Sequence, residues 1–120
     1  MTKILIVEDD PDNREIFSNL LKHHKYEVIE AVDGEEGLKK GLEENPDLIL
    51  LDLSLPGLDG WEVAKRLKSS PKLEKIPIIA LTAHATDEDE RTAKEAGCDA
   101  YITKPCEPKE VIDKVKEFLK

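Results

Sequence analysis

Residues 48–52 read Leu-Ile-Leu-Leu-Asp, four apolar residues with no polar alternation, closed by an acid. A strand with one face in water would alternate, so an unbroken run reads as a strand buried on both faces, hence as part of a parallel sheet. Runs of the same kind occur at Ile4-Leu5-Ile6-Val7 and at Ile76-Pro77-Ile78-Ile79-Ala80-Leu81. Two weaker ones, Glu27 to Ala31 and Ala100 to Thr103, complete a set of five.

Between the runs, apolar residues take helical spacing. Ile16, Phe17, Leu20 and Leu21 form one face after Pro11 and Asp12, a good helix start. Leu38 and Leu42 mark a shorter helix ending near Asn45-Pro46. Val63, Ala64 and Leu67 mark a third, with Asp59 placed to cap it. Val111, Ile112, Val115, Phe118 and Leu119 give the last helix a clear stripe after Pro108. The fourth helical segment, Asp87 to Ala96, differs: its apolar side offers only Ala93 and Ala96 among seven charged residues. A helix that buries so little is expected to dock weakly and to move first, although a solvated surface helix would have the same composition.

The pattern is βα repeated five times in 120 residues, an α/β class protein expected to form one domain over 1–120. Right-handed crossovers put helices on both faces of a parallel sheet, and one common solution has strand order 2-1-3-4-5. Periodicity yields the class, not that order. Eighteen basic residues against 27 acidic ones leave a net charge of -9, which disfavours direct binding to nucleic acid or an anionic membrane and favours cations and basic partner surfaces. Ile4 to Val7 is too short for a signal peptide or a span, and Cys98 and Cys106 lack metal or disulfide spacing; reduced thiols and a cytoplasmic protein are expected.

In open α/β sheets, ligands bind at the carboxyl ends of strands near the point where strand order reverses. Strand 1 ends in Glu8-Asp9-Asp10, strand 3 in Asp52, strand 4 in Thr82 and strand 5 in Lys104-Pro105. In the order 2-1-3-4-5, strands 1 and 3 flank the reversal, so carboxylates meet there. Two carboxylates about 4 Å apart repel by roughly 4 kcal/mol at a near-surface dielectric. Lys104 supplies one counter-charge and a divalent cation the second; an all-oxygen, open site suits Mg²⁺ better than Ca²⁺. The plainer alternative is a solvated cluster of loop acids. A carboxylate nucleophile, a metal, a hydroxyl and a lysine are, however, the parts that phosphoryl transfer needs.

The motifs ILIVED at 4–9, LILLDLSLPGLDG at 48–60, ALTAHA at 80–85 and GCDAYITKP at 97–105 occur in this order. With them the whole chain resembles the response-regulator receiver domains, and is chemotaxis-receiver-like. The resemblance implies a flavodoxin-like three-layer sandwich, a (βα)5 doubly wound five-stranded parallel sheet in the order 2-1-3-4-5. It implies Asp52 as phosphoacceptor, Asp9 as direct Mg²⁺ ligand, Glu8 acting through water, and the Ser54 carbonyl completing the metal shell. Asp10 would be a neighbour of the pair. Thr82 matches the switch hydroxyl, Lys104 the phosphoryl-contacting lysine before a cis Pro105, and Tyr101 the aromatic switch, though half-buried packing would also explain a tyrosine there. Ser54 and His84 match positions that tune phosphate lifetime; His84 could equally be a solvated loop residue.

Other residues read structurally. Pro56-Gly57 and Gly60 fit a tight loop, His23 and His24 favour the end of helix 1, and Trp61 packs at the start of helix 3. The expected function is that of a single-domain response regulator in two-component signalling. A histidine kinase or phosphotransfer protein would phosphorylate Asp52 with Mg²⁺, and a phosphorylation-dependent partner would read the surface of the fourth helical segment, strand 5 and the last helix. The chain would assist its own phosphorylation and dephosphorylation without being an enzyme for external substrates. A phosphorelay intermediate and an unphosphorylated docking module are the neighbouring alternatives. A flavodoxin-like cofactor binder would need a hydroxyl- and glycine-rich loop where Glu8-Asp9-Asp10 stand. An aspartyl phosphohydrolase would carry an acid at Ser54.

Overall fold

The five apolar runs form a parallel sheet of β1 (Lys3–Val7), β2 (Glu27–Ala31), β3 (Leu48–Asp52), β4 (Ile78–Thr82) and β5 (Ala100–Thr103), in the order β2-β1-β3-β4-β5. The computed structural model describes residues 2–53, 60–82, 91, 94–103 and 107–119. The helices with defined bounds among these are α1 (Pro11–His23), α2 (Gly34–Glu44), α3 (Gly60–Ser69) and α4 (Pro108–Phe118). Most of the 87–96 segment, and with it the expectation of weak docking, lies outside the described residues, as do Asp59 and the Pro56-Gly57 turn.

Alternate residues of each central strand point to opposite faces, and both faces are covered. Leu5, Val7, Ile49, Leu51, Ile78 and Ala80 pack with Val63, Ala64 and Leu67 of α3. Ile4, Ile6, Leu48, Leu50, Ile79 and Leu81 pack with Phe17 and Leu21 of α1 and Val111, Ile112 and Val115 of α4. The unbroken apolar runs follow directly: every residue of β3 and β4 is buried, whereas the edge strands β2 and β5 are mostly half-buried.

Three details depart from the sequence reading. Ile16 and Leu42 are exposed, at 52% and 43%. On α1 the buried line runs through Phe17 and Leu21, leaving Ile16 at the stripe's outer edge. On α2 the buried residues are Gly34, Gly37 and Gly41, not leucines. A Cβ on Gly37 would lie 2.9 Å from the Val7 methyls and one on Gly41 2.7 Å from Leu67 Cδ2, so the helix docks by close backbone approach. The fourth strand also starts later than expected, at Ile78: Pro77 has no N–H to give the ladder, although its carbonyl still accepts from Ile49 N at 3.0 Å. The Ile76 carbonyl is held instead by Lys68 Nζ at 2.7 Å, which also binds Asp99 Oδ2 at 2.9 Å.

The helix termini follow local chemistry. Asp10 caps α1, its Oδ1 accepting from Asp12 N at 2.9 Å, with Pro11 at the first position. His23 lies in the last turn, where cations are favoured, and its ring meets that of His24 edge-on at 5.5 Å. Asp33 Oδ1 accepts from Glu36 N at 2.8 Å while Glu36 Oε1 accepts from Val32 N at 2.9 Å, a reciprocal cap that starts α2. Trp61 packs half-buried on the α3 side of the core, as its place at the start of that helix suggests.

Gly60 opens α3 directly against the chain leaving β3: a Cβ there would lie 2.6 Å from Leu53 Cα, a backbone atom that cannot yield. Gly60→Ala is therefore expected to destabilise the fold by about 2 kcal/mol, measured by urea unfolding. Cys98 is a buried free thiol, and burial, helped by the Asp99 carboxylate and opposed by Lys68, pushes it up from 9.0 to about 12. Because the folded value is the higher, the native state keeps a proton that the unfolded chain loses. The thiol's contribution is thus fully present below pH 9 and declines as pH rises toward 12. In a Cys106→Ser background, iodoacetamide at pH 8 should label the native protein about a thousandfold more slowly than the urea-unfolded chain.

Candidate functional site

The C-terminal ends of β1, β3 and β4 are adjacent, and polar residues occupy all three. Val7 stands opposite Leu51, so Glu8 follows β1 beside Asp52, the last residue of β3; Asp52 in turn pairs with Leu81, the residue before Thr82. Glu8, Asp52 and Thr82 are exposed by 0%, 2% and 4%, although each carries a polar or charged group. Asp9 is exposed and completes the corner. One carboxylate oxygen from each of Glu8, Asp9 and Asp52 lies within 4.8 Å of the others. Asp10 stays outside, because its carboxylate is engaged in capping α1.

The energetics of that corner follow from its burial. Two charged carboxylates 4.8 Å apart repel by about 3–4 kcal/mol at an effective dielectric of about 20. Removing them from water adds to that cost unless a cation compensates. The three donors are hard oxygens, and Asp9 leaves one side open to water, which suits a hydrated Mg²⁺. Oxygens bound directly to one Mg²⁺ lie at most about 4.2 Å apart, and an acid acting through water, as expected of Glu8, tolerates the wider spacing of this set. The donor set fits the ion.

The backbone beneath the acids is held from two sides. Glu8 N donates to Ala31 O at 3.0 Å, continuing the β1–β2 ladder past the end of β1. Arg14 reaches back from the first turns of α1, Nη1 donating to Glu8 O at 3.0 Å and approaching Asp9 O at 3.5 Å. Its Nε lies 3.3 Å from Glu30 Oε1. The sequence reading did not single out Arg14 or Glu30. The available signal was an arginine four residues after the helix cap, within reach of the loop it follows, and it has no meaning until β2 is placed beside β1.

Tyr101 lies on β5, half-buried against the α3 side of the core. With Ile102 and Thr103 it lines an open groove of about 390 Å³ against Glu110, Asp113, Lys114 and Glu117 of α4. The structure thus brings Glu8, Asp9, Asp52 and Thr82 to one edge of the sheet and sets Tyr101 on the outermost strand. Ser54, His84, Lys104 and Pro105 lie outside the described residues, as does Cys106. Among the described residues no helix is long and apolar enough to cross a membrane.

In a doubly wound α/β sheet the strand-order reversal is where ligands bind, and here an acidic corner that could hold a cation occupies it. Comparison with known proteins narrows that reading. The model of the response regulator receiver domain matches residues 4–116. The polar-differentiation response regulator DivK of Brucella ovis is 42% identical over 120 residues, covering 99% of this chain and 98% of that protein. DivK of Brucella anthropi is 41% identical over 116 residues, covering 97% and 94%. Among solved structures, the Vibrio cholerae chemotaxis protein CheY4 superposes with a TM-score of 0.94 at 29% identity, covering 98% of each chain. A receiver domain of a Pseudomonas aeruginosa sensor histidine kinase, described with a magnesium ion coordinated in its active-site cleft, superposes with a TM-score of 0.90 at 30% identity, covering 98% of this chain and 97% of that one.

The chain belongs to the response regulator receiver domain family, whose members act in two-component signalling. Its sheet has the chemotaxis-receiver order, as the sequence motifs implied.

Relief of the corner's charge is directly measurable. Mg²⁺ at ten times its dissociation constant should add about 1.4 kcal/mol of stability, raising Tm by several degrees in a thermal melt. Asp52→Ala should remove most of that rise.

Proposed function

We propose that this receiver takes a phosphoryl group on Asp52 from the phosphohistidine of a histidine kinase or phosphotransfer protein. The observation that carries the reading is the burial of Asp52 at the end of β3, within 4.8 Å of the carboxylates of Glu8 and Asp9. An oxygen of Asp52 forms the new bond to phosphorus as the phosphorus–nitrogen bond of the donor breaks. The imidazole keeps that electron pair and takes up a proton from solvent. Glu8, Asp9 and Asp52, with the carbonyl of Ser54, would hold a Mg²⁺ ion, which supplies neutralisation of the charge on the phosphoryl oxygens.

The remaining roles belong to the chain's own groups. Thr82 ends the neighbouring strand, and its hydroxyl would donate a hydrogen bond to a phosphoryl oxygen; Lys104 would pair with another. Movement of Thr82 toward the phosphate lets Tyr101 turn inward. That biases the surface made by the 87–96 segment, β5 and α4 toward a partner-binding form. Ser54 and His84 flank the acceptor and the switch hydroxyl in sequence and set how readily water reaches the phosphoryl group. The site serves a cytoplasmic signalling protein that handles its own phosphoryl group and signals through protein contacts.

Acetyl phosphate with Mg²⁺ should add one phosphoryl group to the wild type, read as intact mass. Asp52→Asn should gain none, and chelation of Mg²⁺ should suppress the wild-type gain at least about tenfold. An equal gain on both proteins would falsify the assignment of Asp52.

A further inference from the structure

We infer that Arg14 is a positioning residue for the acidic corner: its guanidinium, clamped by Glu30, holds the main chain that carries Glu8 and Asp9 so that their carboxylates converge with Asp52 on a divalent cation. The inference rests on the metal-binding part of the proposed function. Past Val7 the β1–β3 register ends, so the peptide between Glu8 and Asp9 lies beyond the paired residues of the sheet. The preceding peptide, between Val7 and Glu8, is tied to β2, with Glu8 N donating to Ala31 O at 3.0 Å. The carbonyl of the Glu8–Asp9 peptide is tied to α1, where Arg14 Nη1 donates to Glu8 O at 3.0 Å and lies 3.5 Å from Asp9 O.

The geometry needs a guanidinium. One side chain must address two successive carbonyls with Nη1 while Nε meets Glu30 Oε1 at 3.3 Å. The planar fork of arginine does this from a single rotamer, whereas a lysine ammonium is one point on a flexible stem. These bonds go to main-chain oxygens, so the arginine steadies the backbone that carries the acids. The arrangement is also shielded: the Arg14 side chain is only 18% exposed, although it starts from the solvent-facing end of α1. Groups that orient metal ligands through hydrogen bonds typically change metal affinity by about 10–100-fold when removed.

Positioning and simple charge predict opposite results. If Arg14 acts only as a nearby positive charge, its removal lowers the local potential and tightens Mg²⁺ binding. If it positions the ligands, removal loosens them and weakens binding despite the more negative site. The test is titration of the intact chain with MgCl₂ by calorimetry, at a temperature well below the metal-free Tm of each variant. Arg14→Met is expected to bind Mg²⁺ about tenfold more weakly than wild type. Arg14→Lys, which keeps the charge, should also bind more weakly, and Glu30→Gln by about twofold to threefold.

Unchanged or tighter binding in Arg14→Met overturns the inference. Should that variant fail to fold, unchanged affinity in both Arg14→Lys and Glu30→Gln overturns it equally. Wild-type protein that binds no Mg²⁺ would remove the metal-binding part of the proposed function and this inference with it. Wild-type binding matched by every variant would remove the inference alone.

Discussion

Two carboxylates, Glu8 and Asp52, are buried side by side at the ends of adjacent parallel strands. Left to themselves, like charges at that separation would move apart. They stay because the strands behind them cannot move: from residue 4 to 7 and from 48 to 52 no residue has measurable access to water except Asp52 at 2%. Apolar packing on both faces of the sheet, worth roughly 2 kcal/mol for each fully buried Leu, Ile or Val, supplies the rigidity that the site needs. The electrostatic strain is local, and the frame that opposes it extends through both cores.

The same logic explains why the surroundings are so tightly built. Glycines at 37 and 41 let α2 approach Val7 and Leu67 so closely that a methyl group would collide with them. Gly60 does the same where α3 begins beside Leu53, one residue after Asp52. These contacts pack α2 and α3 close against neighbouring chain, while Arg14 and Glu30 hold the loop that follows β1. The opposite end of the sheet is tied as firmly, with Lys68 binding the Ile76 carbonyl and Asp99, whose Oδ2 also accepts from Ile78 N at 2.9 Å. An interior packed this closely does not absorb a local shift and passes it on to particular neighbours.

Much of the fold was legible because the interior of a parallel sheet leaves a plain signature. Strands buried on both faces cannot alternate, so β3 and β4 appear as unbroken apolar runs, and their ends announce the candidate site at Asp52 and Thr82. The helices were legible in number and less so in orientation. Ile16 and Leu42 were read as core from spacing and are exposed. A 3.6-residue stripe identifies a side of a helix, and only the partner decides which edge of it is covered. The glycine face of α2 was missed because glycine carries no hydrophobic signal; it is recognised by what approaches it.

The sequence by itself determined the class of fold, the five strands, the acids at their ends and the family, because each depends on residue type and local order. Which acids share a site was implied by the family resemblance, and tertiary structure supplied the physical cause. Asp52 lies more than forty residues of chain from Glu8 and Asp9, and the three meet because β1 and β3 are neighbours in register. Asp10, adjacent in sequence, is excluded because its oxygen is engaged with the first turn of α1. Asp52 was legible as an acid ending a buried strand; its burial beside Glu8 is what makes its charge costly and its site receptive to a cation. Proximity in space, which the local pattern of a chain does not encode, sets the electrostatics on which the chemistry rests.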